Sequence, residues 1–169
     1  PYTVEVGSEP TPGELEAPTF KDTTYNGYVK TTITYPEGCG STLTCTYKKN
    51  NEASVTVTSA TAVIEFASAG SVTATVTDGN DTETVSHTPS EKLTLSKSIS
   101  KTTNSITVTT NVTDSTGITK YEFSKDGGST WVDNDTNNVY TFSNLNKNST
   151  YSIKVRATTN FGTVKTSNS

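Results

Sequence analysis

The sequence predicts an all-β protein built as two tandem β-sandwich domains, and three observations support that prediction. Apolar residues recur with a period of two: Tyr151, Ile153, Val155 and Ala157 alternate with Ser152, Lys154 and Arg156, which places one row in a core and the other in solvent. Runs of this kind follow one another at intervals of about 8 to 12 residues, with turn residues between them. No stretch shows a convincing helical period. Only 30% of the residues are hydrophobic and 18% charged, so the cores are thin, one apolar row per sheet face. A disordered chain of equally low hydrophobicity lacks such regular alternation of β-branched and aromatic residues.

Taken in order, Tyr2, Val4 and Val6 alternate with Thr3 and Glu5, and then Pro10, Pro12, Gly13 and Pro18 prevent regular pairing. Residues 1–19 are therefore expected to be an orphan strand and a Pro-rich linker. The plain reading of the strand is the end of a preceding domain or a flexible leader. The sharper one is a donor that completes the sheet of a neighbouring copy. From about Phe20, the rows Val29/Thr31/Ile33/Tyr35, Leu43/Cys45/Tyr47, Val55/Val57, Ala62/Ile64/Phe66 and Val72/Ala74/Val76 mark successive strands. The turn Asp78-Gly79-Asn80 then leads to a strand over residues 82–87. Thr88-Pro89-Ser90-Glu91 interrupts the pattern and suggests limited hinge freedom, so the boundaries are set at 20–88, a linker at 89–91, and 92–169. In the second part Leu93/Leu95, Ile106/Val108/Val112, Tyr121/Phe123, Tyr140/Phe142 and the row from Tyr151 to Ala157 are strands, and Phe161 and Val164 begin a last, weak one.

The run YTFSNLNKNSTYSIKVRATTNFG resembles the E, F and early G strands of a bacterial fibronectin type III domain, with Leu145 and Tyr151 at that family's tyrosine corner, where the phenol ties back to turn backbone. YPEGCGSTLTCTYKKNN and VTATVTDGNDT resemble immunoglobulin-like repeats of surface and pilin-like proteins of Gram-positive bacteria. These resemblances imply β-sandwiches in both halves. They leave the ligand open, because such folds serve many functions.

Charge and composition exclude other classes. A net charge of −4 offers no basic stripe for nucleic acid, and no apolar run is long enough to span a bilayer. The chain has no methionine, even at its start, and is expected to be a processed or excised fragment.

Cys39 and Cys45 are the only cysteines; an exported protein favours a disulfide between them, with two free or buried thiols as the alternative. SKDGGSTW, residues 124–131, fits the Asp-box pattern. There Ser124, Asp126, Gly128 and Trp131 are expected to stabilise a hairpin, the carboxylate capping turn amides. If exposed, Trp131 could instead stack a sugar, with Tyr140 nearby. An exposed cluster of Trp131, Tyr140 and Tyr121 would favour a binding module, and burial of all three a spacer. His87, the only histidine, is read as a strand residue, and Asp133 and Asp135 as turn residues, since the calcium-loop glycine and bidentate glutamate are missing. No cofactor, metal or catalytic set is expected.

The sequence thus points to an extracellular structural module of a bacterial surface protein or appendage, a spacer or stalk that polymerises by strand donation if Tyr2, Val4 and Val6 act as the donor. Its partners are then copies of itself or neighbouring surface domains. The alternative is an adhesin or carbohydrate-binding accessory module whose partner is a glycan or host protein.

Overall fold

The structure, a computed structural model, describes residues 14–168. The orphan strand Tyr2, Val4 and Val6 lies outside the described residues. Fourteen strands and no helix make up the rest: β1 (Thr19–Tyr25), β2 (Tyr28–Thr34), β3 (Thr44–Lys49), β4 (Val55–Val57), β5 (Thr61–Phe66), β6 (Val72–Thr77), β7 (Thr82–His87), β8 (Thr94–Lys101), β9 (Ile106–Thr113), β10 (Ile118–Ser124), β11 (Val132–Asp133), β12 (Val139–Phe142), β13 (Lys154–Thr159) and β14 (Val164–Thr166). The protein is all-β, in tandem sandwiches.

The strands of the first half form two sheets, β1-β2-β5 and β4-β3-β6-β7, and those of the second half form β8-β9-β12 and β11-β10-β13-β14. Subtracting seven from each label of the second pair reproduces the first pair, so both halves have the same strand order. A single topology serves both halves.

In the first half the predicted rows Val29, Thr31 and Ile33 on β2, Ile64 and Phe66 on β5, and Val72, Ala74 and Val76 on β6 are buried, whereas in the rows of β3 and β4 only Cys45 and Val57 are buried, Leu43 and Tyr47 are half-buried and Val55 is exposed. Tyr35, just past β2, donates from its hydroxyl to the carbonyl of Thr46 on β3 at 2.8 Å, so its polar tip is satisfied where its ring is buried. In the second half Val108, Tyr121, Phe123, Phe142, Leu145, Ile153, Val155 and Ala157 form one core cluster, and Leu95, Ile106, Tyr140 and Tyr151 pack against it half-buried.

Several elements differ from the sequence reading. β1 is absent from that reading because its half-buried positions are Phe20, Asp22 and Thr24, which give no apolar row. The strand expected from Tyr151 to Ala157 begins at Lys154 and runs on to Thr159, since Ser152 makes only an isolated bridge to Asp126. Phe161 is buried in the turn before β14 instead of opening that strand, and its amide donates to the Thr116 hydroxyl at 3.1 Å. The chain does not fade out after β14: Ser167 is buried, and its hydroxyl accepts the amide of Val155 at 3.0 Å while its own amide donates to the Val155 carbonyl at 2.8 Å.

The described chain divides into two compact units. One takes the residues up to Phe20 with Ile33–Ala62 and Val72–His87; the other takes Lys21–Thr32, Val63–Ser71 and the residues from Thr88 onward. The division runs through β1, β2 and β5. Within the second unit the segment around Ser90 is tied on both sides. The Asp22 carboxylate accepts the Ser90 amide at 2.7 Å, the Thr24 hydroxyl accepts the Lys92 amide at 2.8 Å, and the Gly27 amide donates to the Thr116 carbonyl at 2.9 Å. Glu91 accepts the Thr116 amide with one carboxylate oxygen and the Thr159 hydroxyl, at 2.7 Å, with the other. Pro89 is buried.

Candidate functional site

The densest polar constellation among the described residues lies at the hairpin between β10 and β11. Ser124 is buried and supplies the first link: its hydroxyl donates to an Asp126 carboxylate oxygen at 2.7 Å and accepts the Gly128 amide at 2.8 Å. The same carboxylate oxygen accepts the Thr130 amide at 2.9 Å, and the other accepts the Thr130 hydroxyl at 2.5 Å. The Thr130 hydroxyl, the Thr130 amide and the Ser124 hydroxyl together hold the Asp126 carboxyl far below the usual carboxylate range. Gly127 and Gly128 take φ of +75° and +98°, and a Cβ on Gly128 would meet the Trp131 ring at 3.2 Å. Trp131 therefore packs over the turn.

Arg156 on β13 covers the same indole, its guanidinium 4.5 Å from the ring centroid. Its fork also grips Glu122 on β10, with both nitrogen–oxygen distances at 2.7 Å. The register pairs Glu122 with Arg156 directly across the sheet. Lys120 adds contacts of 3.2 Å to Glu122 and 3.6 Å to Asp133. Hydrogen bonding from Arg156 is the main cause that lowers the Glu122 carboxyl below its ordinary value. The constellation is a partly exposed ion-pair ladder on the outer sheet face.

Tyr140 lies on the other side of that sheet. Half-buried at the margin of the core, it stacks on Phe123 at 5.5 Å and meets Phe142 edge-on at 4.8 Å, and Tyr121 is 6% exposed. Trp131 and Tyr140 thus share no face, and the three aromatics form no exposed cluster. At the tyrosine corner Leu145 is buried and the Tyr151 hydroxyl accepts the Asn146 amide at 2.9 Å. Asp133 accepts the Asp135 amide at 3.0 Å in a local turn, and Asp135 takes φ of +48°. Among the described residues no group of three or more histidine, cysteine or acidic side chains is placed to hold a metal ion. His87 stacks on Phe20 with 4.8 Å between ring centroids.

Cys39 and Cys45 are joined in a disulfide with 5.5 Å between their Cα atoms. The loop it closes is built on Gly38, whose carbonyl accepts the amides of Ser41, Thr42 and Leu43. Gly40, at φ of +79°, approaches Thr58 so closely that a Cβ would lie 2.9 Å from its backbone.

A model of the bacterial Ig domain family matches residues 88–155. That match falls on the half whose strands resemble fibronectin type III in sequence. No curated protein matches the chain. Among solved structures, a segment of two fibronectin type III domains from chicken tenascin aligns with a TM-score of 0.45 at 13% identity, over 90% of this chain and 98% of that one.

The sequence reading missed the Glu122–Arg156 pair and the cover that Arg156 puts on Trp131. Both residues sit at outward positions of their strands, where only the cross-strand register joins them.

Proposed function

We propose that the protein is an extracellular structural module of a bacterial surface protein or appendage, which works as a spacer or stalk. One observation carries this reading: the residues that could have formed a binding or catalytic site are already engaged within the fold. Asp126 caps its own hairpin, Arg156 lies over the Trp131 ring, and Glu122 is held by that same arginine. The match to bacterial Ig domains and the disulfide support a surface location. Threonine-rich outer strand faces, such as the Thr73–Ser86 and Thr75–Thr84 hydroxyl pairs at 3.0 and 3.1 Å, hydrate well without strong charge.

Assembly of copies by strand donation from Tyr2, Val4 and Val6 belongs to the same reading. Light scattering and electron microscopy on the full chain, compared with a chain lacking residues 1–6, test it. Filaments or oligomers that vanish on truncation support a polymerising component, and identical monomers leave a passive spacer. A glycan or host-protein array tests the spacer itself: saturable binding abolished by Trp131→Ala would replace it with the adhesin reading.

A further inference from the structure

We infer that the edge strand β7, Thr82–His87, is the acceptor that receives Tyr2–Val6 of a second copy; the inference rests on the strand-donation reading above. Every sheet has two edges, and the eight edge strands differ in how they are guarded. β4, β11, β12 and β14 have 3, 2, 4 and 3 residues, too short to template a five-residue partner. β8 places Lys97 and Lys101 in the same row as Leu95 and Ile99, a charge pattern that discourages a new strand. On β1 the side chains of Asp22 and Thr24 are bonded to residues 90 and 92. The inner row of β5 is already closed, with Ile64 5% and Phe66 1% exposed, so a partner there would cover little apolar surface.

β7 carries one inward charge, Glu83 at the start of its row, and is otherwise open. It has six residues, no proline and no lysine, and it pairs with β6 without a break from Val72↔His87 to Thr77↔Thr82. Its row Glu83, Val85 and His87 faces the same side as the buried row of β6. Val85 and His87 remain half-buried at the margin of the core, His87 against Phe20. Its other row, Thr82, Thr84 and Ser86, is exposed. A strand reading YTVEV matches both rows: Tyr2, Val4 and Val6 would extend the apolar side, and Thr3 and Glu5 the hydroxylated side. In the sequence, Pro10, Pro12 and Pro18 separate the donor from β1.

The test uses the full chain. Its weight-average mass should rise above the 18.0 kDa monomer with concentration, and the β7 amides that point away from β6 should gain hydrogen-exchange protection in step. Val85→Lys, which sets at this edge the guard that β8 carries naturally, should weaken association roughly tenfold or more. Val63→Lys on β5 should behave as the parent does. A free peptide of residues 1–8 should reverse the mass increase while keeping β7 protected. This peptide decides the matter should Val85→Lys fail to fold. A parent chain that stays monomeric, protection in the monomer of the β7 amides that point away from β6, a peptide without effect, or a folded Val85→Lys that assembles normally each overturns the assignment. Assembly that needs residues 1–6 yet ignores Val85→Lys sinks the β7 acceptor and leaves strand donation standing. Assembly independent of residues 1–6 removes strand donation itself.

Discussion

Tyr35 shows how one side chain couples the core to pH. Only 4% of it is exposed, and burial pushes its phenol up to about 12. A folded-state value above the unfolded one means that the neutral form stabilises the fold. That contribution is complete below about pH 10, the unfolded value, and is lost as pH rises through about 12. Thermal melts between pH 9 and 12 should therefore show a falling midpoint that Tyr35→Phe flattens, at a cost of about 1 kcal/mol near neutrality from the lost hydrogen bond. An unchanged alkaline slope in that variant would count against this account. Glu122 has the opposite sign. Its folded-state value is lowered, first by hydrogen bonding to Arg156, so its stabilisation is present above the usual carboxylate range and is lost as pH falls through the folded value. Glu122→Gln should cost roughly 1–3 kcal/mol in urea unfolding at pH 7 and remove part of the acid sensitivity. A variant as stable as the parent at pH 7 would show that the ladder is ornamental.

At the scale of elements, the disulfide loop and the Asp-box hairpin make separate predictions. A loop as short as Cys39 to Cys45 restricts the unfolded chain only modestly, so reduction should lower stability by about 2 kcal/mol without unfolding the protein. Asp126→Ala should act locally: hydrogen-exchange protection at the Thr130 amide should disappear while the strand amides of β10 and β13 keep theirs, because the lost bonds belong to the turn. Collapse of protection across β10 would mean that the hairpin holds the sheet. Much of this level was legible in the sequence. The period-two rows on β2, β5, β6, β9, β10 and β13 are core rows, and turn residues separate them, because alternation and local turn chemistry are properties of short segments. β1 was not legible: its half-buried partners are polar and bonded to residues far along the chain, as Thr31 and Ser90 are to Asp22. Nor was the burial of Ser167, which depends on Val155 across a sheet. The cover that Arg156 gives Trp131 required a register that no local pattern encodes.

For the whole molecule, the same seven-strand order occurs twice along one chain. Burial pattern fixes each strand, and a β-sandwich accepts many sequences that supply the right rows. The compact units cut this repeat differently, and the bonds of Asp22, Thr24 and Gly27 explain why residues 21–32 belong with the second. The proposed spacer role requires that the protein withstand pulling. We would therefore extend single molecules from both ends by force spectroscopy. The account predicts two unfolding steps at forces well above those that stretch an unfolded chain, one of them lengthening by about 15–20 Å when the Cys39–Cys45 bond is reduced, since those residues then extend fully. Extension without resolved steps, or a single step unaffected by reduction, would contradict the tandem spacer.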